Sequence, residues 1–242
     1  MANTLIVSLQ GIGNALLALP LAESAHRAGE RTTMLVLSPR LLPVLAHAPA
    51  LDESLAADDP RFRGLRGRLR LLGEIRRRRF DRVLFAYPSG NNAYRFARLA
   101  RIGERLGHRY APIEKAAKHL TTAFAPLRKG HDLEQNMMLT EHLGWAHNLA
   151  DLWPALTVPQ KLTEHAQQYL AKMGLDPQAR YVGLHTGCDG RWVEKRWPEE
   201  YFAAVAEQVH AAYGLPAIVF AGPGEPGTGL LGKRLAKTPV HA

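Results

Sequence analysis

Thr4-Leu5-Ile6-Val7-Ser8-Leu9-Gln10-Gly11-Ile12-Gly13-Asn14-Ala15-Leu16-Leu17-Ala18-Leu19-Pro20 is an apolar run that two glycines interrupt and that then resumes. Leu5 to Leu9 is a short, continuous aliphatic segment, the pattern of a strand buried on both faces of a parallel sheet. Gly11 and Gly13 permit a sharp turn and let a ligand approach bare backbone, and Asn14 has the chemistry of a helix N-cap. The stretch reads as strand, turn and helix, with free N–H groups at the helix start suited to a phosphate or a sugar oxygen. A dinucleotide-binding turn would carry its third glycine at position 16, where this chain has Leu16. Many α/β proteins have a turn of this kind, so a purely structural role stays open.

Working outward, a first helix is predicted over Asn14 to Ala28, bent at Pro20 and closed by Gly29. Arg31 to Leu37 supplies a second strand; the Ser38-Pro39-Arg40 that follows has no acid to hold a ribose diol, which argues against NAD. After a helical segment around Leu41 to Ala48 and a loop at Asp58-Asp59-Pro60, Phe80 to Pro88 reads as a third buried strand ending in Ser89-Gly90-Asn91-Asn92. This alternation predicts a doubly wound α/β unit. His131 to Gly144 is a punctuated helix, with Asp132 as a cap, Gln135 completing a capping box, Gly144 as the stop and His131 beside the cap.

Trp153 to Gln160, with Pro154 and Pro159, reads as a linker and divides the chain into domains 1–157 and 158–242. A helix over Leu162 to Met173 then ends at Gly174, and a second unit repeats the grammar of the first. Tyr181 to His185 is a strand with the polar loop Thr186-Gly187-Cys188-Asp189-Gly190 at its carboxyl end. Lys195-Arg196-Trp197-Pro198-Glu199-Glu200 leads into a helix that ends at Gly214, and the strand Ala217 to Ala221 precedes Gly222-Pro223-Gly224-Glu225. Strand-end loops of this kind are where α/β proteins bind ligands.

The chain has 242 residues, 46% hydrophobic and 22% charged, which is an ordinary globular composition. No apolar stretch reaches spanning length and Met1-Ala2-Asn3-Thr4 lacks the basic start of a signal peptide, so a cytoplasmic protein is expected. A lone cysteine, Cys188, excludes an internal disulfide framework, and no His-x-x-x-His or Cys-x-x-Cys spacing suggests a metal site.

The formal charge of +9 implies an anionic partner. Much of the excess lies in Arg61 to Arg79, where Leu65, Leu69, Leu72 and Ile75 recur at helical spacing, so an amphipathic basic helix is predicted. A second basic helix is predicted through Tyr94, Arg95, Arg98, Arg101 and Arg105. A solvated helix face, an anionic membrane surface and a phosphorylated lipid substrate all fit. A nucleic-acid partner is not expected, because the aromatics do not interleave with the arginines as a stacking platform.

Three separated blocks together carry a resemblance: Gly11 to Pro20, the His131 to Gly144 helix, and Lys195 to Glu200 with the later Gly222-Pro223-Gly224-Glu225. In their order and spacing the sequence resembles glycosyltransferase family 9, the ADP-heptose:lipopolysaccharide heptosyltransferases. The resemblance implies a GT-B-like architecture of two Rossmann-like doubly wound domains, the first facing the acceptor and the second holding the sugar nucleotide. It implies transfer of heptose from a nucleotide diphosphate, ADP-heptose, to a hydroxyl of an anionic lipopolysaccharide core, inverting, without metal or other cofactor, by a protein peripheral to the inner membrane. By the same resemblance Lys195 neutralises the departing diphosphate, Thr186, Gly187 and Gly222 line the donor site, Glu225 lies near the nucleoside, and Gly11, Gly13 and Asn14 form the acceptor side.

The chain departs from that pattern in two places. Asn14 stands where the family places an aspartate, and an amide can orient a hydroxyl but not accept its proton. Asp189 and Glu194 lie in the facing loop as possible substitutes. Only about 70 residues follow Gly174, against ~100 to 150 for a usual domain, and the family's Asp-Ser-Gly-Pro-x-His block is absent, so a shortened second domain is expected. The sequence thus admits two readings, a glycosyltransferase and an inactive family member that keeps only the binding surface.

Overall fold

The computed structural model describes residues 1–145, 150, 156–187, 194–220 and 240–241. The chain divides into two compact units, Met1–Gln160 and Lys161–Ala242.

In the first unit the elements run β1 (Asn3–Ser8), α1 (Ile12–Leu17), α2 (Leu19–Arg27), β2 (Arg31–Val36), α3 (Leu42–Leu45), β3 (Glu53–Ala56), α4 (Gly64–Arg77), β4 (Arg82–Phe85), α5 (Asn91–Leu99), β5 (Glu104–His108), β6 (Thr122–Phe124) and α6 (Asp132–His142). Six strands form one parallel sheet in the order β3-β2-β1-β4-β5-β6, the doubly wound Rossmann order. Winding reverses between β1 and β4, which places the ligand crevice at their carboxyl ends.

Alternation along β1 explains its unbroken apolar run. Ile6 enters the core layer beneath α1, α2 and α6, whereas Leu5 and Val7 enter the opposite layer beneath α4 and α5. Met34 and Val36 against Leu35 in β2, and Leu84 against Val83 and Phe85 in β4, repeat that division. At the amino edge of the sheet Arg82 bridges Glu30 and, at 2.8 Å, Glu104, while the Thr4 hydroxyl donates to Glu30. Glu30 is only 7% exposed. Its charge is held by partners rather than by water.

Several expectations are corrected. The first helix is two, because the chain bends at Ala18 and Pro20 opens α2 rather than kinking a longer helix. The second basic helix stops at Leu99: Arg101 adopts a left-handed φ of 64° and Arg105 lies in β5. The basic segment is a 3-10 turn at Pro60–Phe62 followed by α4, whose buried face is Gly67, Leu71 and Ile75, while Leu65 and Leu69 face solvent. Part of its charge is paired locally, Arg61 with Asp59 and Arg78 with both Glu53 and Glu74. The predicted glycine stops at Gly29 and Gly144 both have positive φ, 76° and 71°, a conformation that suits glycine.

The second unit contains α7 (Gln160–Lys172, its first residue closing the first unit), β7 (Val182–His185), α8 (Glu199–Tyr213), β8 (Ala217–Phe220) and β9 (Val240–His241). Its strands pair in parallel in the order β7-β8-β9, over a small core of Leu184, Ala203, Ala206, Ala217 and Val219. Among the described residues no helix is long and apolar enough to cross a membrane.

Candidate active site

In the first unit the site grows from the end of β1. Gly11 is the N-cap of α1, with φ −69° and ψ 177°, so Asn14 lies inside the helix and is not its cap. Neither Gly11 nor Gly13 has a positive φ, and a Cβ on either would meet nothing within 4 Å. Their use is not contortion of the turn but bare backbone on an open, exposed face.

Asn14 is half-buried, and its Nδ2 donates to Oδ2 of Asp132 at 3.3 Å. This carboxylate arrives from α6, and the residue that brings it is Asn136, one turn further along the same helix face. Asn136 is fully buried; its Oδ1 accepts from the Tyr87 backbone N–H at 2.7 Å and its Nδ2 donates to the Leu17 carbonyl at 3.0 Å. One amide thereby ties α6 to the end of α1 and to the segment after β4. Gln135 ties the same helix to the loop before it, exchanging hydrogen bonds of 2.8 and 3.1 Å with the Leu127 backbone, so the exposed Arg128-Lys129 pair is held near the start of α6. The α6 capping box is one residue earlier than predicted: the His131 backbone N–H donates to Glu134, and Nδ1 of His131 accepts from the Leu133 N–H. Asp132 is thus released from capping and points its oxygen toward Asn14. It is the functional candidate that sequence reasoning missed, since a contact across 118 positions leaves no local signal.

Beyond β4, the Tyr110 hydroxyl donates to the Ser89 carbonyl at 2.6 Å and accepts from the Ser89 N–H at 3.0 Å, which fixes the turn that opens α5. Burial pushes the Tyr110 phenol up, and the charge of Asp132 adds to that shift. Tyr87 lies between the rings of Tyr110 and His108, with centroids 5.2 and 5.3 Å away. His108 is 1% exposed and neither ring nitrogen has a hydrogen-bond partner among the described residues. Burial pushes its pKa down to about 4, so it is a neutral core ring at physiological pH.

In the second unit Thr186 sits directly after β7, 6% exposed, and its hydroxyl has no hydrogen-bond partner among the described residues. Gly187 beside it is half-buried. Lys195 and Glu194 are exposed ahead of Pro198, the N-cap of α8. Asp189, Gly222 and Glu225 lie outside the described residues. Among the described residues no cluster of His, Cys, Asp and Glu has the arrangement of a metal site.

Two Rossmann-like units, each with polar candidates at the carboxyl end of a parallel sheet, give the chain the GT-B-like fold of the solved structures it resembles. The family model of glycosyltransferase family 9 (heptosyltransferase) matches residues 68–229, and the chain belongs to that family. Among solved structures, the glycosyl transferase family 9 protein from Veillonella parvula superposes with a TM-score of 0.75 at 20% identity, covering 100% of this chain and 68% of that one. The E. coli ADP-heptose lps heptosyltransferase II gives 0.71 at 15% identity, covering 99% and 72%. The E. coli heptosyltransferase WaaC with ADP gives 0.68 at 18% identity, covering 97% and 71%. No curated protein matches the chain.

Proposed function

We propose that this glycosyltransferase moves a heptose from ADP-heptose to a hydroxyl of an anionic lipopolysaccharide core, with inversion and without a metal ion. The observation that carries the reading is the Asp132 carboxylate held against Asn14 beside the open Gly11–Gly13 backbone. It supplies the proton acceptor that Asn14 cannot be. The acceptor oxygen attacks the anomeric carbon opposite the diphosphate; the new C–O bond forms as the bond to the diphosphate breaks, the leaving group keeps the electron pair, and the hydroxyl proton goes to Asp132. Asn14 orients the hydroxyl. The orphaned Thr186 hydroxyl and the Gly187 backbone bind phosphate oxygens, Lys195 offsets the charge on the departing diphosphate, and Gly222 and Glu225 complete the donor side.

WaaC, similar in fold, has been solved with ADP and with ADP-2-deoxy-2-fluoro heptose, which supports an ADP-linked heptose as donor. The charge of +9 supports an anionic, lipid-anchored acceptor reached at the inner membrane from the cytoplasmic side. The test is transfer by the purified chain from ADP-heptose to heptose-deficient lipopolysaccharide. Wild-type turnover that falls about 10²- to 10³-fold in Lys195→Ala is the expected result. A second reading, a binding protein without turnover, is favoured by Asn14 itself; ADP binding without any transfer selects it and overturns the first.

A further inference from the structure

α4 and α5 cover the same face of the first unit's sheet but leave a gap between them. The gap is a cavity of about 440 Å³ with Leu5, Val7 and Leu35 as its floor, Leu71 and Ile75 on the α4 side and Ala97 on the α5 side. Small residues on α5 leave space where larger side chains would close the layer, and interiors are otherwise packed without voids of this size. The volume falls within the range of small-molecule sites. Arg68, Arg95 and Asn92 are the only polar side chains in the lining.

The rim repeats this mixture of apolar surface and positive charge. Leu65, Leu69 and Leu99 are 78%, 60% and 50% exposed. Leu65 and Leu69 stand within one turn of Arg68 on α4, and Leu99 is one turn beyond Arg95 on α5. Arg61, Arg77 and Arg78 on the same segment have acidic partners, whereas Arg68 and Arg95 form no ion pair among the described residues. A partner that neutralises these two cations must be anionic, and one that fills the space beneath them must be a narrow hydrocarbon. A nucleic acid lacks the second property, and an uncharged apolar ligand has no use for the arginines.

We propose that this groove takes one acyl chain of an anionic membrane lipid, with the headgroup on Arg68 and Arg95 and the three exposed leucines in the interfacial layer. Buried methylenes and cations near an anionic surface both favour binding, so chain and charge together give a reversible anchor. The inference goes beyond the transfer reaction and stands whether or not the protein turns over.

The test uses the full chain without donor or acceptor. Cis-parinaric acid, a fluorescent fatty acid, should bind saturably at one site and be displaced by oleate. Arg68→Glu with Arg95→Glu, both on exposed side chains, should weaken binding at least about tenfold by reversing the charge at the mouth, and Ala97→Leu should abolish it by filling the groove. Vesicles containing phosphatidylglycerol should sediment the wild type but not Ala97→Leu, and phosphatidylcholine vesicles should sediment neither. Circular dichroism establishes that each variant is folded, and should Ala97→Leu not fold, the charge-reversed pair decides alone. Absence of saturable binding, indifference to the paired arginine reversal, or equal vesicle binding by folded Ala97→Leu overturns the proposal.

Discussion

Asn14 on α1 and Asp132 on α6 meet at 3.3 Å although 118 positions separate them in the chain. A carboxylate and an amide share the crevice end of the sheet, and in the proposed transfer the first accepts a proton while the second orients the hydroxyl. Asp132→Asn is expected to lower the transfer rate about 10²- to 10⁴-fold with little change in affinity for ADP. Asn14→Asp in that background restores a proton acceptor within reach of the same hydroxyl and should recover part of the loss. Steady-state kinetics with ADP-heptose checks both; full activity in Asp132→Asn would remove the base from the mechanism.

Gly67 and Gly73, both in α4, should respond oppositely to alanine. A Cβ at Gly67 would lie 2.3 Å from the Phe62 carbonyl carbon, a clash with backbone that only a shift of the helix relieves, whereas one at Gly73 meets nothing within 4 Å. Gly67→Ala should therefore cost about 1–3 kcal/mol, and Gly73→Ala should add up to about 1 kcal/mol through helix propensity. Urea denaturation midpoints test the pair.

Removing Arg82 leaves Glu30 buried without its cationic partner. Arg82→Met should cost about 3–5 kcal/mol, with further packing lost because the guanidinium lies 5.4 Å from the centre of the Trp145 ring. Adding Glu30→Gln to Arg82→Met should return part of that stability. A double variant no more stable than Arg82→Met would show that the charge is not what matters.

His108 makes stability depend on pH. Its folded pKa, pushed down to about 4, lies below the value of 6.5 that an unfolded chain presents, so the unfolded state takes up the proton first. The stabilising contribution is complete above about pH 6.5 and is lost as the pH falls toward 4, by up to about 3 kcal/mol. His108→Phe, which leaves no hydrogen bond broken at the ring, should flatten that slope in denaturation curves taken between pH 4 and 7.

Local chemistry made much of the architecture legible. The aliphatic run of β1 announces a strand buried on both faces, and Gly29 and Gly144 end helices because a left-handed residue there suits glycine. The two-unit α/β plan and the family's separated motifs could likewise be read in order along the chain. Less of the rest could be. The strands Glu53–Ala56, Glu104–His108 and Thr122–Phe124 are short and partly polar, and the sheet, not their own periodicity, makes them strands. Leu65 and Leu69 keep helical spacing yet face solvent, since which stripe of α4 is covered depends on where the sheet lies. Residue types and local punctuation were determined by sequence alone. Only the tertiary structure decided that Asn136 carries Asp132 to Asn14 and that α4 and α5 stand apart, because contacts between distant segments are chosen by the packing of the whole unit and leave no mark on neighbouring residues.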